Sequence, residues 1–581
     1  MHNVRLILAL CTLLATAPTA LGDRPADLIL TNGRIVTVDE EFTIAEAIAV
    51  RGERIVQVGS SEDVAKVKGD DTQVIDLGGK MVIPGLIDSH VHPNGAAMHE
   101  FDHEIPDMES IRDVLDYIEG LTKVRDEDQW IWVSQVFITR LREQRFPTRA
   151  ELDSVAPKHP VVFRTGPDAA LNSKALELSG IGEDFKVVGA GHLERDPETG
   201  KLNGILRACT RLIKSGDTGG KKATEEDRQN RLERLFRDYN SVGITAVADR
   251  SAGSGSMNRY QELLEQDRLT VRVSASWHIG TGGSTESIQK KIREVGEHPL
   301  HRRHAMLQIV GIKTFLDGGM LTGSAYMRKP WGVSKIYSID DPRYRGVRFI
   351  EDDKLVPIVR AAVEEELQFT AHSVGDGAVH ALLDAYAKVN EETPIRATRP
   401  CITHCNFMSA EAIQQMAELH VVADIQPAWL YLDTRTLEAQ FGYDRLRYFQ
   451  PLASTFKQGV IVGGGSDHMQ KIGSLRSINP YNPLLGMQTT IVREGRWYDG
   501  QLHPEEALTR QQALQFYTRN NAYLIFQEAN IGSLEAGKLA DIVVLDRDIL
   551  KCPPREIVET QVVQTYLGGK LVYQKEDQRD D

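Results

Sequence analysis

Cysteine is scarce in this sequence, which has five in 581 residues. One lies in the apolar amino-terminal stretch, and the other four are Cys209, Cys401, Cys405 and Cys552. So few cysteines in a chain of this length exclude a fold held by a disulfide framework. Cys401 and Cys405 bracket His404, but no second ligand pair completes a zinc site. We interpret the two cysteines as small buried hydrophobic residues.

Basic runs and long apolar segments are also missing. The formal net charge is −14 at pH 7, and no basic patch with interleaved aromatic residues stands out. An acidic surface disfavours nucleic acid and anionic membranes as partners. Beyond the amino terminus, no apolar segment reaches the roughly 20 residues that span a bilayer. We expect a small-molecule substrate, no nucleic-acid partner and, after processing, no membrane partner, while a homo-oligomer stays open.

The amino-terminal stretch has the form of a signal peptide. Residues 6–20 are almost wholly apolar and follow a short segment with one Arg. Ala20-Leu21-Gly22 has the small-x-small pattern of a cleavage site. We predict a cleaved signal peptide over residues 1–22 and a mature protein that is periplasmic or secreted. An uncleaved amino-terminal anchor is the alternative.

Both ends of the mature chain have the pattern of short strands with tight turns. In the amino-terminal part, alternating apolar residues surround Asn32-Gly33 and Gly52, and in the carboxyl-terminal part they surround Gly568-Gly569. Two β-rich ends around a different middle predict one small sandwich domain built from residues 23–83 and 528–576. The middle, residues 84–527, forms the second predicted domain.

In the middle, apolar strand-like runs alternate with amphipathic helical stretches. The eight runs are 81–88, 243–249, 269–277, 306–313, 367–372, 400–404, 420–426 and 459–467. Eight β-α units predict an α/β fold of the closed (β/α)₈, or TIM, barrel type. An open doubly wound sheet is the alternative, but no Gly-rich phosphate fingerprint follows an early strand. The long gap after the first run predicts an inserted helical subdomain, around residues 100–235, over the barrel mouth.

Metal-ligand residue types end or closely follow five of these runs. They are His90 with His92, Lys313, His372, His404 and Asp467. Residues two apart in a strand point the same way, so the first two histidines can face one ion. Because barrel active sites lie at the carboxyl ends of the strands, ligands far apart in sequence converge there. The sequence therefore predicts a metal centre at the barrel mouth.

Each of these residues has an ordinary explanation when taken alone. A single His is commonly a hydrogen-bonded core residue, and a lone Asp after a glycine-rich strand is commonly a turn or helix cap. The joint pattern favours metal, because five strand ends in one order are hard to explain as core filling. Imidazoles and carboxylates suit Zn²⁺, which lowers the pKa of bound water from about 15.7 to roughly 7. A buried lysine can bridge two cations only after CO₂ converts it to a carbamate, which also removes its costly charge.

The same residues belong to longer motifs that resemble the amidohydrolase superfamily. Pro84-Gly-Leu-Ile-Asp-Ser-His-Val-His92 is similar to its first-strand signature. Gly532-Ser-Leu-Glu-Ala-Gly-Lys-Leu-Ala-Asp-Ile-Val-Val-Leu545 is similar to its return into a sandwich domain. Within the superfamily, the chain resembles the branch of N-substituted formamide deformylase and N-acyl amino acid deacylase-like proteins. The motifs of that branch are Phe146-Pro-Thr-Arg-Ala-Glu-Leu-Asp153, Asn172-Ser-Lys-Ala-Leu176, Gly311-Ile-Lys-Thr-Phe-Leu-Asp-Gly318 and His372-Ser-Val-Gly-Asp-Gly-Ala378.

The resemblance implies a hydrolase that cleaves a non-peptide C–N amide bond, linear or cyclic, with metal-bound hydroxide. Its implied cofactor is two divalent ions per subunit, with Zn²⁺ as the expected metal. His90 and His92 would hold one ion, and His372 and His404 the second. Carbamylated Lys313 would bridge the two.

The resemblance also implies roles for three aspartates. Asp467 would bind metal and, as the catalytic residue, move a proton to the leaving nitrogen. Asp317 and Asp376 would support the ligands from behind. Helix capping or turn formation explains each of these two equally well.

Substrate contacts are expected from Trp331, Trp429 and Arg435, which lie near predicted strand ends, with ordinary packing as the alternative for each. Two positions in the inserted segment depart from the branch, which usually has Asp-Gly-His and Gly-x-Leu-x-Glu there. In this sequence, Pro167 and Ala208 stand where those motifs end. Both departures concern substrate recognition rather than the metal set.

Two rival functions stay open at this point. One is a mononuclear, deaminase-like amidohydrolase in which Lys313 is only structural. The other is a catalytically inert secreted barrel that acts as a binding protein, although the complete ligand set argues against a lost activity. The number of metal ions per subunit distinguishes these two from the two-ion hydrolase.

Overall fold

The computed structural model describes residues 24–134, 136–188, 191–301 and 303–576. The predicted signal peptide, residues 1–22, lies outside the described residues. Within the described ranges, no helix combines the length and the apolar composition that a membrane span needs.

Eight parallel strands form a barrel at the centre of the molecule. In chain order, barrel strands 1 to 8 are Leu86–Val91, Ile244–Ala252, Arg272–His278, Leu307–Phe315, Gln368–Ser373, Cys401–His404, Val422–Ile425 and Val462–Gly464. Each strand pairs in parallel with the next one in the chain. Their continuous apolar character follows from burial on both faces, by helices outside and by side chains inside. The predicted (β/α)₈ barrel is confirmed, and the alternative of a doubly wound sheet is wrong.

The barrel closes between strands 8 and 1 through a short set of contacts, which we call the seam. A parallel bridge joins Val91 to His468. The backbone N–H of Asp467 donates to the carbonyl of His90 at 2.8 Å, and that of His92 donates to the carbonyl of His468 at 2.8 Å. Ligand types from opposite ends of the barrel sequence are thus neighbours across the seam.

The first predicted run, residues 81–88, divides into two strands at Gly85. Met81–Pro84 belongs to a terminal sheet, and only the part from Leu86 onward belongs to the barrel. The backbone passes very close to Thr245 at this point, since a Cβ on Gly85 would lie 2.1 Å from Thr245 Oγ1. The sequence could not show the division because the apolar run continues across it.

Both chain ends contribute to two sheets beside the barrel. The six-stranded sheet has the order Lys570–Gln574, Val562–Leu567, Ile542–Leu545, Met81–Pro84, Arg34–Val36 and Ile44–Ala45. The four-stranded sheet has the order Arg54–Gly59, Ala47–Arg51, Leu28–Thr31 and Gln73–Asp76. One apolar cluster contains residues of both sheets, among them Leu30, Ile48, Ile542 and Tyr566. These sheets are compatible with a small sandwich domain, and the domain boundaries stay a prediction.

The α-helices of the described ranges cover the barrel and the inserted segment. They are Ser61–Ala65, Pro93–Met98, Ile111–Thr122, Arg149–Val155, Ser173–Ser179, Glu225–Ser241, Ser254–Glu265, Thr285–Gly296, Asp352–Glu364, Asp376–Asn390, Ala410–Leu419, Pro427–Phe441, Leu452–Lys457, Pro483–Val492, Arg510–Phe516 and Arg519–Leu524. Helices that follow barrel strands bury residues three or four positions apart, as Val379, Leu382, Leu383 and Tyr386 illustrate.

The segment inserted after barrel strand 1 is built on a sheet rather than on helices alone. Its five strands have the order His192–Arg195, Leu202–Arg207, Asp168–Leu171, Val161–Thr165 and Ile131–Ser134. The prediction of a helical subdomain was therefore wrong. The hairpin between Val161–Thr165 and Asp168–Leu171 turns at Gly166, whose φ of 58° suits glycine. Strands of four to six residues carry too little periodicity to be recognised in the sequence.

Candidate metal centre

The seam brings three of the predicted ligands together. Oδ1 of Asp467 lies 3.2 Å from Nε2 of His92 and 3.4 Å from Nε2 of His90. One ligand atom from each of the three residues lies within 4.8 Å of the others. Imidazole nitrogens and a carboxylate oxygen at this spacing suit an ion such as Zn²⁺. His90 and Asp467 are buried, whereas the His92 side chain is 25% exposed, so the group is accessible on the His92 side.

The other two predicted histidines lie beside this group. The ring centroids of His404 and His90 are 5.0 Å apart, and those of His404 and His372 are 4.5 Å apart. Barrel strands 5 and 6, which carry His372 and His404, are hydrogen-bonded neighbours. The four histidines and Asp467 therefore form one cluster, which we call the histidine cluster.

Lys313 is buried next to the histidine cluster, with 1% of its surface exposed. Burial lowers the pKa of its ammonium to about 8, while the carboxylates of Asp467 and Asp424 oppose this shift. In the described ranges, none of the ion pairs includes Lys313, and its Nζ lies 5.2 Å from the ring centroid of Phe315. A buried ammonium without a close carboxylate is costly. This position therefore makes the Lys313 amine easier to deprotonate than an ordinary lysine.

Burial also lowers the pKa of three of the clustered histidines, His372, His90 and His404, which keeps them neutral at pH 7. The pKa of His372 falls to about 3, first through burial and then through the charge of Lys313. Burial likewise lowers the pKa of His90 and of His404 well below the ordinary range. Neutral imidazoles have the free lone pairs that metal ligation requires. The donor set of the histidine cluster therefore fits divalent metal ions.

Hydrogen bonds determine which nitrogen of two rings is free. Nδ1 of His90 donates to Asp424 Oδ2 at 3.0 Å, and Nδ1 of His404 donates to Gln426 Oε1 at 2.7 Å. Nε2 of Gln426 donates to Asp424 Oδ1 at 2.9 Å. Nε2 of each histidine is thereby left as the ligand atom. The sequence analysis missed Asp424 and Gln426, although their spacing of two at the end of barrel strand 7 puts them on one face.

The backbone at two of the ligands is held in the left-handed region. The φ angles are 82° at His404, 45° at Cys405 and 57° at Asp467. Such angles on non-glycine residues cost about 1–3 kcal/mol each and persist where the surrounding structure imposes them, which is common at functional sites. In this barrel they occur where strands 6 and 8 present their ligands to the cluster.

The two predicted tryptophans have different surroundings. Trp429 stacks on His404 with ring centroids 4.6 Å apart, and its buried indole N–H has no hydrogen-bond partner within the described part of the chain. Trp331 is 1% exposed and donates from its indole to the carbonyl of Ala325 at 2.8 Å. Trp331 is therefore a packing residue of an apolar cluster, and the expectation that it faces the substrate has no support in its contacts.

The remaining predicted residues, Asp317, Asp376 and Arg435, differ in how they are placed relative to the predicted ligands. Asp317 accepts three backbone N–H groups, and its Oδ1 lies 3.9 Å from Nε2 of His372, so it lies behind a predicted ligand. Asp376 begins the helix Asp376–Asn390 and accepts a backbone N–H at 2.8 Å, away from the ligands. Arg435 donates to the carbonyl of Leu141 at 2.8 Å, which connects a barrel helix to the inserted segment.

Phe315 is an exposed aromatic residue next to the histidine cluster that the sequence analysis missed. It ends barrel strand 4, two residues after Lys313, and is 39% exposed. Its ring centroid lies 5.1 Å from that of His372 and 5.8 Å from that of His278. An exposed phenyl ring between two histidines at the barrel mouth offers an apolar surface to a substrate.

Two cavities lie between the inserted segment and the barrel loops, and neither is lined by a predicted ligand. The first, of about 370 Å³, is lined mainly by residues in the ranges 99–140 and 471–496. The second, of about 480 Å³, is lined by residues of the inserted sheet and of the range 322–349. Pro167 and Ala208, the two positions that depart from the branch, both line this second cavity.

The sequence profile of the amidohydrolase family matches residues 73–573. The chain belongs to the amidohydrolase family. This amidohydrolase is 29% identical to the N-substituted formamide deformylase of Arthrobacter pascens, over 94% of the chain and 98% of that protein. It is 24% identical to the putative amidohydrolase YtcJ of Bacillus subtilis, again over 94% of the chain and 98% of the relative.

Among solved structures, an uncharacterized metal-dependent hydrolase from Pyrococcus furiosus has a TM-score of 0.64 to the amidohydrolase described here. It is 23% identical and covers 90% of the chain and 100% of its own length, a likeness that shows the shared fold. The comparisons confirm the predicted family and enzyme class, a hydrolase that acts on carbon–nitrogen bonds. The roles of the individual ligands, the number of ions and the carbamate stay predictions.

Proposed function

We propose that this amidohydrolase cleaves a non-peptide amide C–N bond of a small molecule with two divalent ions, Zn²⁺ by preference. His90 and His92 hold one ion and His372 and His404 the other, with carbamylated Lys313 between them. The observation that carries the proposal is the spacing at the seam, where three ligand atoms lie within 4.8 Å of one another beside two further neutral histidines.

Asp467 is the catalytic residue in this proposal. When bound, the ions would supply a water of lowered pKa and would polarise the amide carbonyl. The Asp467 carboxylate takes the proton that the water gives up and delivers it to the leaving nitrogen. Asn479 supports this carboxylate, because its Nδ2 donates to the Asp467 carbonyl at 2.8 Å and lies 3.5 Å from Oδ2.

Lys313 acquires its bridging form from CO₂. The ammonium first releases one proton to solvent. The resulting neutral amine adds to the carbon of CO₂ and releases a second proton to solvent, so that the cation is replaced by an anionic carbamate. The buried position without a carboxylate partner supports this change, since it removes an uncompensated charge.

Two further observations support an amide substrate. The relative from Arthrobacter pascens is named an N-substituted formamide deformylase. The unpartnered indole N–H of Trp429, stacked beside His404, is a donor that a substrate oxygen can accept from.

The test is to measure bound metal per subunit in the wild type and in Lys313→Ala, after reconstitution with Zn²⁺ and bicarbonate. We expect about two ions in the wild type and one or none in the variant, with loss of amide hydrolysis in the variant. Lys354→Ala is the control, because Lys354 bonds only to loop carbonyls near Gly283 and should keep both ions.

A mononuclear, deaminase-like site is the second candidate, and one observation favours it. Among the predicted ligands, the tight ligand group contains only His90, His92 and Asp467. If both the wild type and Lys313→Ala bind one ion per subunit, the result would support this candidate and contradict the bridged site. Failure to bind any metal would favour a binding protein instead.

We further propose that the mature protein is exported to the periplasm or the exterior. The apolar stretch of residues 6–20 and its small-residue end support this location. Amino-terminal sequencing of the protein from the producing cells should give a chain that starts at Asp23. A chain that still carries residues 1–22 would contradict cleavage.

A further inference from the structure

The second cavity, between the inserted sheet and the range 322–349, has walls that are mainly small or apolar. The inserted sheet contributes Pro167, Gly191 and Ala208, and the facing loop contributes residues that include Gly323, Tyr337, Ile339, Val347 and Phe349. Its volume of about 480 Å³ is within the range of about 300–1,000 Å³ that is typical of small-molecule sites. The cavity therefore has the size and the lining of a ligand site.

Two exposed hydrophobic residues connect this cavity to the metal centre. Val347 is 40% exposed and Phe349 is 53% exposed, and both line the cavity. The N–H of Phe349 donates to the carbonyl of Leu316 at 2.8 Å, next to the exposed ring of Phe315. The N–H of Gly318 donates to the carbonyl of Val347 at 3.3 Å. The carbonyl of Gly318 in turn lies 3.4 Å from Nε2 of His372, so that the cavity wall and the histidine cluster share one loop.

The charges around the cavity determine what can enter it. At its inner wall, the Asp168 carboxylate lies 3.2 Å from a guanidinium nitrogen of Arg207 and accepts the N–H of Ala208 at 2.8 Å, so its charge is balanced. At the opposite wall, the carboxylates of Asp340 and Asp341 are exposed. Arg343 Nε lies 3.4 Å from the Asp341 carboxylate and balances part of its charge, so an anionic group on the ligand would be repelled mainly by Asp340. A neutral apolar group meets no unbalanced charge at the inner wall.

We propose that this cavity binds the amine substituent of the amide substrate and that the substituent is large, apolar and neutral. Phe315, Val347 and Phe349 form the apolar surface along which the substituent extends from the metal centre. The inference rests on the proposed amide hydrolysis. It predicts that neutral N-substituted amides are good substrates. It also predicts that N-acyl amino acids are poor substrates, because their carboxylate lies on the amine side of the amide.

The first experiment measures kcat/KM for N-formyl amines whose substituent grows from methyl to benzyl to naphthylmethyl. We expect the wild type to prefer the largest by about tenfold or more over the smallest, because a filled apolar pocket favours each added group. Val347→Asp and Phe349→Ser should abolish this preference, because they lower kcat/KM for the naphthylmethyl compound more than for the methyl compound. Leu475→Asp is the control, because Leu475 is 55% exposed and lines the first cavity.

The second experiment compares N-formyl-2-phenylethylamine with N-formylphenylalanine, which differ only by a carboxylate. The neutral compound should be preferred by about tenfold, and the preference should narrow at high salt and in Asp340→Asn/Asp341→Asn. Three results would each overturn the assignment of this cavity. They are an equal or reversed preference between the neutral and the charged compound, the absence of a size preference in the wild type, and loss of the size preference in Leu475→Asp alone.

Binding of 2-naphthylmethanol, followed by fluorescence, tests the cavity independently of hydrolysis. If no amide is hydrolysed but the probe binds the wild type and not Val347→Asp, the result supports a ligand site in the cavity and contradicts the proposed amide hydrolysis. If amides are hydrolysed but the probe does not bind, or binds Val347→Asp equally well, the result supports the proposed amide hydrolysis and contradicts the assignment of the cavity.

Discussion

Asp424 is a buried carboxylate that lies behind two of the predicted ligand histidines. It accepts from His90 directly, and it is connected to His404 through Gln426. Ser89 Oγ also donates to it at 2.6 Å. One carboxylate therefore fixes the ring of one histidine and, through Gln426, the ring of the other. Removal of the Asp424 charge should therefore disturb the orientation of both histidine rings, while every predicted ligand is still present.

We predict that Asp424→Asn weakens metal binding about 10- to 100-fold, the usual effect of losing a carboxylate behind a ligand histidine. The amide keeps the size of the side chain but can present a donor to Nδ1 of His90. Competition with a chromophoric chelator measures the affinity. Asp376→Asn is the control, because Asp376 contacts a backbone N–H away from the cluster. Wild-type affinity in Asp424→Asn would contradict the role of the carboxylate.

Sequence alone identified the ligand types and Asp317 behind His372, but not Asp424 or Gln426. His90, His92 and Asp467 were predicted and are brought together, because strand ends of a barrel converge whatever their separation in the chain. Asp424 escaped prediction, because a lone aspartate at a strand end usually has a turn role. For Trp331 the sequence left substrate contact and ordinary packing open, because loop sequence does not reveal whether a side chain faces a site or a core, and the side chain is buried in an apolar cluster.

The inserted segment is attached to the part of the chain that supports Asp467. Arg140 of this segment donates to both carboxylate oxygens of Asp433, at 2.9 and 2.7 Å. It also donates to Oδ1 of Asn479 at 3.0 Å, and Asn479 donates to the carbonyl of Asp467 at 2.8 Å. Because Arg140 is largely buried, these bonds hold Asp467, the proposed catalytic residue, in register with the seam.

We predict that Arg140→Met lowers kcat about 10- to 100-fold, since small displacements of a catalytic group have effects of this size. Metal should also dissociate faster from the variant, which chelator trapping measures without reference to activity. Arg142→Met is the matched control, because Arg142 is 59% exposed and contacts Glu109 and the ring of Trp497 rather than Asp433 or Asn479. Equal losses in the two variants would argue for a general effect on folding.

The helix Arg149–Val155 begins with a capping box that contains Glu151. The contribution of the Glu151 charge to stability can be tested by changing the pH. Thr148 and Glu151 cap each other, and Arg145 binds both oxygens of Glu151 at 2.8 Å. The Arg145 guanidinium is the main reason that the pKa of Glu151 is lowered to about 2. A lowered pKa means that the charged form stabilises the fold above about pH 4.5 and that this stability is lost as pH falls toward 2.

We therefore predict that Glu151→Gln costs about 1 kcal/mol of unfolding free energy at pH 7. The difference from the wild type should shrink as the pH is lowered from 4.5 toward 3. Urea unfolding at a series of pH values measures it. Glu177→Gln, at an exposed helix position, should show no such difference. A constant difference at all pH values would rule out the charge as its source.

At the level of elements, the barrel strands were predictable and the inserted sheet was not. Every predicted run overlaps a barrel strand, because apolar stretches buried on both faces stand out from helical periodicity. The hairpin at Gly166 was missed, because strands as short as Asp168–Leu171 are no longer than ordinary apolar stretches in loops. The split at Gly85 was missed because a glycine within an apolar run does not show which sheet each half joins.

For the whole molecule, one buried ion pair joins the barrel to the terminal sheets. Arg272, at the start of barrel strand 3, donates to both oxygens of Asp541 at 2.7 and 2.8 Å. The two side chains are 5% and 3% exposed. Asp541 precedes Ile542–Leu545, the strand that pairs with Met81–Pro84. The pair thus couples the two predicted domains at a point where water is excluded.

We predict that Arg272→Met destabilises the protein by about 3–5 kcal/mol, because it leaves a buried carboxylate without its partner. The double variant Arg272→Met/Asp541→Asn should recover part of this loss, which a double-mutant cycle from guanidinium unfolding would measure. Barrel and terminal sheets should unfold in one transition in the wild type. Strict additivity of the two substitutions would contradict a direct interaction.

The seam also has a consequence for the order of events during synthesis. The seam bridge of Val91 cannot form until His468 exists, although Val91 can already pair with Asp249, and the pairing of Ile83 with Val543 likewise waits for the later residue. At about 5–20 residues per second, a ribosome needs roughly 20 to 90 s to cover either interval. Throughout that time His90 and His92 are present without Asp467. An ion held by all three residues can therefore be loaded only after translation has passed the last barrel strand, late in the synthesis of the chain.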